Sequence, residues 1–530
     1  MRIFYTFFTT MCFFLTIAHT QTLNLVQDLN EGNGDAINEF NYKSVQHGDD
    51  IFFSASNGTG GYEPYVLKNG SLELLLDIST GMESSSPTEF TIFNNKVYFT
   101  AYDPINGGAL WSTDGTSAGT VLAFDPSANN STARPKGLTV AKNGALYFSY
   151  ENKLYKSFGT TATTNIVPGG ETVDFSENWA YQGVNYTPYE DGVAFISEDN
   201  KILKLWYADD SIIKLGEVAC ESFFYDYYGI NQVKDGLVFG ARSSFDPAFG
   251  GLYHYSPTGD SLHKLPINGN LDAEIGRIFK LNEDRVIVVA WGTGFISVDG
   301  MAANNQVVST NLPNYLGQGT PLFHAIVGEW AVFLEKEVFS SGQNILATNG
   351  FSNSSSIIAM PQTYIISNFI SYGNFALWAS GISNGFTPQI WYANPANGTS
   401  GKLYEHPQGS FSLNSIIMLG VQDNKLYFFS NIDANLGREL YYLPLNLTPA
   451  KEKKEMESYS ITNKGREILV SAPDPNLELN VNVFDAAGRL ITNKTVQSNG
   501  SFSLDGVNGV FYIEAQAGNL RFSNRVFISN

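Results

Sequence analysis

The residues able to do chemistry are few and spread along the chain. Beyond the N-terminal leader the histidines are His47, His254, His263, His324 and His406, with no two at a metal-ligand spacing such as His-x3-His. Cys220 is the sole cysteine left after the leader, so no intrachain disulfide can form and no Cys–His cluster exists. A nucleophilic thiol needs a histidine and an orienting group beside it; without a sign of either, Cys220 reads as a buried thiol. No phosphate-binding Gly-Lys-Ser/Thr loop and no nucleophile elbow is read, so catalytic residues and metal ligands are both set at none. Among 51 acidic residues, glycoside hydrolysis would need two at a defined separation, and sequence does not select them. Trp111, Trp206, Trp291, Trp378 and Trp391 could stack on sugars, but at strand positions they read first as packing residues.

One stretch carries its geometry openly. Leu110-Trp111-Ser112-Thr113 leads into Asp114-Gly115-Thr116-Ser117-Ala118-Gly119-Thr120, and Val121-Leu122-Ala123-Phe124 follows. Two apolar runs around an Asp-Gly turn predict a β-hairpin. Asp114, Gly115, Thr116 and Gly119 are therefore assigned a structural role in a repeated turn.

The elements holding such turns are strands. Aromatic residues make up 14% of the 530 residues, with 50 Gly, 28 Tyr and 38 Phe, and no long amphipathic helical period occurs. Short apolar strands recur with Phe53, Phe99, Phe148, Phe195, Phe239, Val288, Phe333, Leu377 and Phe428 as their third apolar residue, at spacings of 46, 49, 47, 44, 49, 45, 44 and 51. A period in the forties with about four strands per unit predicts propeller blades, eight or nine of them. A turn with Asp or Asn four residues before Gly recurs at Asn57–Gly61, Asp103–Gly107, Asp246–Gly250 and Asp433–Gly437. Asp or Asn there bonds its own backbone, and Gly supplies a positive φ. Bound Ca²⁺ is the alternative use for these aspartates, but no unit has the oxygen-ligand density of a calcium loop, so no cofactor is assigned. The last unit stops after Arg438-Glu439-Leu440-Tyr441-Tyr442-Leu443, and Leu23-Asn24-Leu25-Val26-Gln27-Asp28-Leu29 matches the outer run Leu74-Leu75-Leu76-Asp77-Ile78 of the first. An N-terminal strand completing the final blade would close the ring and leave no unpaired edge at the junction.

Residues 1–20 read as a secretory signal: Arg2, then an apolar run through Phe7, Phe8, Phe13, Phe14, Leu15 and Ile17. The formal net charge is −20, and no basic cluster is visible, which argues against nucleic acid or anionic lipid as partner. No other stretch is long and apolar enough to span a bilayer as a helix. The repeat region is assigned to residues 21–446. The mixed-charge run Lys451-Glu452-Lys453-Lys454-Glu455 marks a linker over 447–457. Alternating strands with turns at Ala487-Gly488 and Asn508-Gly509 predict a small β-sandwich over 458–530. The fold class is thus all-β, a closed propeller followed by a sandwich.

Two family resemblances attach to these residues. Val483-Phe484-Asp485-Ala486-Ala487-Gly488-Arg489-Leu490, then Gly509-Val510-Phe511-Tyr512-Ile513 and a terminal Arg525-Val526-Phe527-Ile528 resemble the C-terminal sorting domain of the type IX secretion system of Bacteroidetes. Gly488, Arg489, Gly509 and Arg525 match that pattern, Tyr512 falls near its aromatic position, and the family's opening Tyr-Pro-Asn-Pro is missing. The resemblance implies Sec export to the periplasm, delivery by the type IX machinery, and a secreted or outer-membrane-attached cell-surface location. Leu110, Trp111, Asp114, Gly115, Thr116, Gly119 and Thr120 resemble the Glu-Leu-Trp-x-x-Asp-Gly-Thr-x-x-Gly-Thr repeat of bacterial surface propellers, with Ala109 in place of the Glu. The expected function is binding of a protein or glycan at the cell surface. The alternatives are a glycosidase or lyase with carboxylates in the propeller channel, and a structural or adhesive surface protein.

Overall fold

The computed structural model describes residues 23–38, 44–126, 132–169, 186–199, 202–219, 228–241, 250–273, 275–290, 293–301, 305–309, 324–334, 344–351, 356–359, 364–365, 368–381, 388–406, 416–433, 435–447, 460–464, 466–471, 478–485, 489–498, 500–504, 508–517 and 520–528. The proposed leader, Cys220, Trp291, the Asp246 turn, Gly488 and nearly all of the linker lie outside these residues. Two compact units divide at Leu447–Thr448.

The first unit is a nine-bladed propeller. Eight antiparallel sheets follow one another along the chain, over residues 45–74, 88–124, 136–166, 187–219, 228–265, 275–309, 324–359 and 364–405. Each has its strands in sequence order, and blade 8 splits its first strand into Tyr364–Ile365 and Ile370–Tyr372. The ninth sheet joins Ile416–Gln422, Lys425–Ser430 and Glu439–Pro444 to Asn24–Gln27, which pairs antiparallel with Glu439–Pro444 through Asn24↔Tyr442, Leu25↔Tyr441 and Gln27↔Leu440. The expected closure by an N-terminal strand is thus realised, and the count is nine.

Nine strand centres with this periodicity make blades because each second strand is apolar on both faces. Successive side chains alternate between the blade before and the blade after. Phe195 packs with Tyr147 and Leu154 of blade 3, whereas its neighbour Ala194 packs with Ile230 and Phe239 of blade 5. Shared cores of this kind lie at every junction around the ring, blade 9 against blade 1 included, where Ile417, Tyr427 and Phe429 meet Ile51, Phe53 and Leu67. Burying one such Phe or Leu contributes on the order of 1.5–3 kcal/mol, so the ring's stability lies in its junctions.

Blade 8 corrects the sequence phase by one residue. The residue facing the preceding blade there is Trp378, packed with Val332 and Ile345; Leu377 turns to blade 9 with Met418 and Phe428. A large aromatic directly beside Leu377 supplied the right signal in the neighbouring position.

The second unit has two sheets. Ser460–Lys464, Glu467–Ser471 and Gly500–Ser503 form one, and Leu490–Gln497, Glu478–Asp485, Gly509–Ala517 and Leu520–Ile528 form the other in that order. Ile461, Ile468 and Val470 of the first share a core with Leu479, Val481, Val483, Phe511 and Ile513 of the second.

Candidate functional site

The two faces of the ring are built differently. In an up-and-down blade the links from strand one to two and from three to four open on one face, and the remaining links open on the other. On the first face the links from strand one to two have two to five residues, and those from three to four have at most seven. On the second face, connections between blades reach 13 residues after Leu74, 11 after Phe124 and 20 after Ile166.

The short-link face is an interlock. In blade 2, Asp114 Oδ1 accepts the Thr116 N–H at 3.0 Å and its hydroxyl at 2.7 Å. The Thr116 hydroxyl holds the Asp114 carboxyl below its ordinary value. Gly115 has φ +86 and donates its N–H to Thr113 Oγ1 at 3.1 Å. A Cβ on it would sit 3.4 Å from Asp50 and 3.5 Å from Phe52 of blade 1. Gly119 donates to Thr116 Oγ1 at 3.0 Å, and Thr113 and Thr120 hydroxyls meet at 2.8 Å. All four assigned turn residues therefore act inside one loop lodged against the preceding blade.

The arrangement returns elsewhere. Gly159 donates to Ser157 Oγ at 3.0 Å, Ser157 and Thr164 hydroxyls meet at 2.7 Å, and Tyr98 of blade 2 donates its hydroxyl to the Gly159 carbonyl at 3.1 Å. In blade 4, Asp209 Oδ1 accepts from Lys156 Nζ at 2.6 Å, Asn143 Nδ2 at 3.1 Å and the Tyr147 hydroxyl at 3.2 Å, all from blade 3. Burial works against the Lys156 charge, but Asp209 and Asp210 hold its ammonium above the ordinary value. The tyrosine of Val97-Tyr98-Phe99 and of Leu146-Tyr147-Phe148 is thus the bolt between blades, received by the Gly159 carbonyl of Ser157-Phe158-Gly159 in one case and by the Asp209 carboxylate in the other.

Gly115-Thr116-Ser117-Ala118-Gly119 also has the spelling Gly-x-Ser-x-Gly. Its setting is strand–turn–strand with Ser117 exposed, whereas a nucleophile elbow needs a strand-to-helix turn with a base beside the serine. The same spelling at 381–385 lies mostly outside the described residues.

On the long-link face, the recurring Asx turns form as expected. Asn57 Oδ1 accepts the Thr59 and Gly60 N–H groups at 3.1 and 2.8 Å, Asp103 Oδ1 accepts Ile105 N–H at 2.7 Å, and Asp433 Oδ1 accepts Asn435 N–H at 2.9 Å. The glycine's reason is corrected for two of them. Gly61 and Gly437 are absent from the positive-φ residues; a Cβ on them would fall 2.0 Å from the Glu83 carbonyl and 1.8 Å from that of Gly34. They are glycines because the next inter-blade connection crosses directly over them.

Two buried glutamates hold those connections. Glu63 accepts from Ile78 N–H at 2.9 Å, Ser85 N–H at 2.8 Å and Ser85 Oγ at 2.6 Å. Glu439 accepts from Leu29 N–H at 2.7 Å and Asn30 N–H at 3.4 Å. Burial raises both carboxyls, Glu439 to about 7 against the lowering effect of its two backbone donors.

The strands nearest the ring axis, the first of each blade, bring a single carboxylate among the described residues, Glu89, where a glycosidase would need two. Trp111, Trp206 and Trp378 are buried; Trp206 donates to Ser197 Oγ at 2.8 Å and half-buried Trp391 to Ser380 Oγ at 3.0 Å. None of the first three presents a face to a sugar.

The histidines are not all scattered. His254 and His263 are directly opposed across the hairpin of blade 5's last two strands, with His254 Nδ1 and His263 Nε2 3.5 Å apart. The turn Pro257-Thr258-Gly259-Asp260 between them fixes the register, a signal that a search for helical His spacing overlooks. No group of three or more His, Cys, Asp or Glu able to hold a metal occurs among the described residues.

In the C-terminal unit, Arg489 Nε and backbone N–H donate to Asp485 at 2.7 and 2.9 Å, closing the turn between Glu478–Asp485 and Leu490–Gln497. Tyr512 stands in register between Phe484 and Arg525, and Gly509 opposite Ile528. Four of the five assigned sorting residues, Arg489, Gly509, Tyr512 and Arg525, thus belong to one sheet or its turn, and Gly488 lies outside the described residues.

Among the described residues, no helix is long and apolar enough to cross a membrane. No protein-family model matches the chain, and no curated protein matches it. Similar solved structures include the WD40 domain of SCAP from fission yeast, at 9% identity and TM-score 0.37 over 68% of this chain and 95% of that one. PorZ, a bacterial surface component of the type IX secretion system of Porphyromonas gingivalis, is similar at 9% identity and TM-score 0.22 over 92% and 93%. The extracellular domain of a putative one-component system from B. thetaiotaomicron is similar at 11% identity and TM-score 0.24 over 92% and 80%. At these scores no property passes from them to this chain.

Proposed function

We propose that this chain is a secreted or cell-surface propeller that binds a protein or glycan through its long-link face, and that residues 458–530 are its type IX sorting signal. The observation carrying the binding reading is the asymmetry of the ring. On one face the loops of blades 2, 3 and 4 are short and engaged by the blade before them, while the other bears inter-blade connections as long as the 13 residues after Leu74 on a rigid scaffold, the usual place for recognition. A net charge of −20 favours neutral or cationic ligands over nucleic acid. The sorting reading is supported by the motif residues converging on one sheet.

Binding is tested with a glycan array and a cell-adhesion assay, comparing the wild-type chain with one whose connection 125–135 is replaced by a Gly-Ser linker of equal length. Loss of binding in a folded variant is expected; retention of every wild-type ligand by equivalent replacements of all the long connections would refute the face assignment. Deleting 458–530 should leave the protein off the cell surface, and normal delivery would contradict the sorting role.

A further inference from the structure

We propose that His254 and His263 form a two-imidazole zinc clamp across the last hairpin of blade 5. The 3.5 Å between His254 Nδ1 and His263 Nε2 lies beyond the usual range for a nitrogen–oxygen or nitrogen–nitrogen hydrogen bond. It is close to the separation of about 3.3–3.4 Å between two nitrogens held about 2.0–2.1 Å from one tetrahedral zinc ion. A square-planar or octahedral ion would bring adjacent nitrogens to about 2.9 Å at the same bond length, so the spacing is nearer to that of a tetrahedral ion.

The rest of the setting fits a ligand. His254 is buried, and its Nε2 meets the carbonyl of Asp235. That contact places the proton on Nε2 and leaves the Nδ1 lone pair facing His263, the outer-shell arrangement common to metal-binding histidines. Gly300 of blade 6 lies on the other side and leaves room for the ring: a Cβ there would lie 2.9 Å from Nε2. His263 is exposed on the outer strand and leaves the approach open. The protein supplies two ligands, and solvent completes the coordination. The bound ion would staple the outer strand Ser261–Leu265 to Gly251–Ser256.

The test uses the full chain and zinc titrated against a fluorescent chelator in excess Mg²⁺, which occupies carboxylate sites but competes weakly for imidazole. One equivalent should bind. Exposed His263→Gln should weaken it at least about tenfold without altering the circular dichroism, and His47→Gln should bind as wild type. Zinc should raise the melting temperature of the wild type and not of His263→Gln. Absence of a saturable equivalent in the wild type, or equal uptake by His263→Gln, would overturn the clamp.

Discussion

Blade 1 and blade 9 make the same connection twice, once within a continuous chain and once between its two ends. In blade 1, Glu63 holds Ile78 and Ser85, Gly61 lies under Glu83, and Ser86 N–H donates to the Tyr62 carbonyl at 2.9 Å. In blade 9, Glu439 holds Leu29 and Asn30, Gly437 lies under Gly34, and Ala36 N–H donates to the Arg438 carbonyl at 3.0 Å. The partners in blade 1 are 15 and 22 residues apart, and those in blade 9 are 410 and 409. The seam is therefore an ordinary junction whose covalent link has been moved elsewhere. Loop-closure entropy grows only logarithmically with length, so the added cost is a few kcal/mol at most. The seam compensates with Arg438, whose guanidinium pairs with Asp35 at 3.2 Å.

The strongest way to break this equivalence is to remove residues 21–38. Blade 9 then loses its fourth strand, Glu439 is left buried without Leu29 and Asn30, and the core shared with blade 1 loses Leu29, Ala36 and Ile37. Loss of cooperative unfolding and of the wild-type elution peak in size-exclusion chromatography is expected. A truncated chain that melts as sharply and as high as the full one would show that the seam contributes no closure.

A smaller test compares glycines. Gly437→Ala and Gly61→Ala each drive a methyl into a backbone carbonyl, and each should cost about 1–3 kcal/mol by urea unfolding. At the seam the N-terminal strand can detach, because no short turn joins it to Glu439–Pro444, the strand it pairs with. Gly437→Ala should therefore raise hydrogen exchange across Asn24–Gln27, while Gly61→Ala leaves the exchange of Ser71–Leu74 little changed. Equal exchange in the two outer strands would mean that covalent continuity makes no difference here.

Much of this was legible in the sequence, for physical reasons that differ by residue. Phe53 through Phe428 repeat because each second strand must be apolar on both sides, and a period of that kind survives divergence. The closing strand was readable because Asp28-Leu29 copies Asp77-Ile78, and in both the second residue donates to a buried glutamate. Asn57, Asp103, Asp114 and Asp433 announced their turns because an Asx turn is local chemistry. The His254–His263 pair, the Tyr98 and Tyr147 bolts and the true reason for Gly61 and Gly437 were hidden. Each depends on which strand or connection lies alongside, and no local pattern encodes that.

The subtlest difference between the two junctions is electrostatic. Glu63 accepts three hydrogen bonds, all at 2.9 Å or less, and Glu439 accepts two, one of them at 3.4 Å. Burial therefore raises Glu439 to about 7, with Asp28 and Asp35 adding to the rise. A carboxyl whose folded pKa lies above its unfolded value binds more protons in the folded state between the two. Its contribution to stability is fully present below about 4.5 and is lost as pH rises through about 7. The urea midpoint of the wild type should carry this loss between pH 5 and pH 8, and Glu439→Gln, which keeps an acceptor for Leu29 but cannot ionise, should remove it. Depressed His254 works in the opposite direction over part of that range, so the informative quantity is the difference between wild type and variant at each pH. That difference should move toward the variant between about pH 5 and pH 8 and level off above, and Glu63→Gln should show a weaker trend. If the two glutamine variants shift identically with pH, the seam and the continuous junction hold their carboxylates equally well, and the weakness assigned to the missing third donor is wrong.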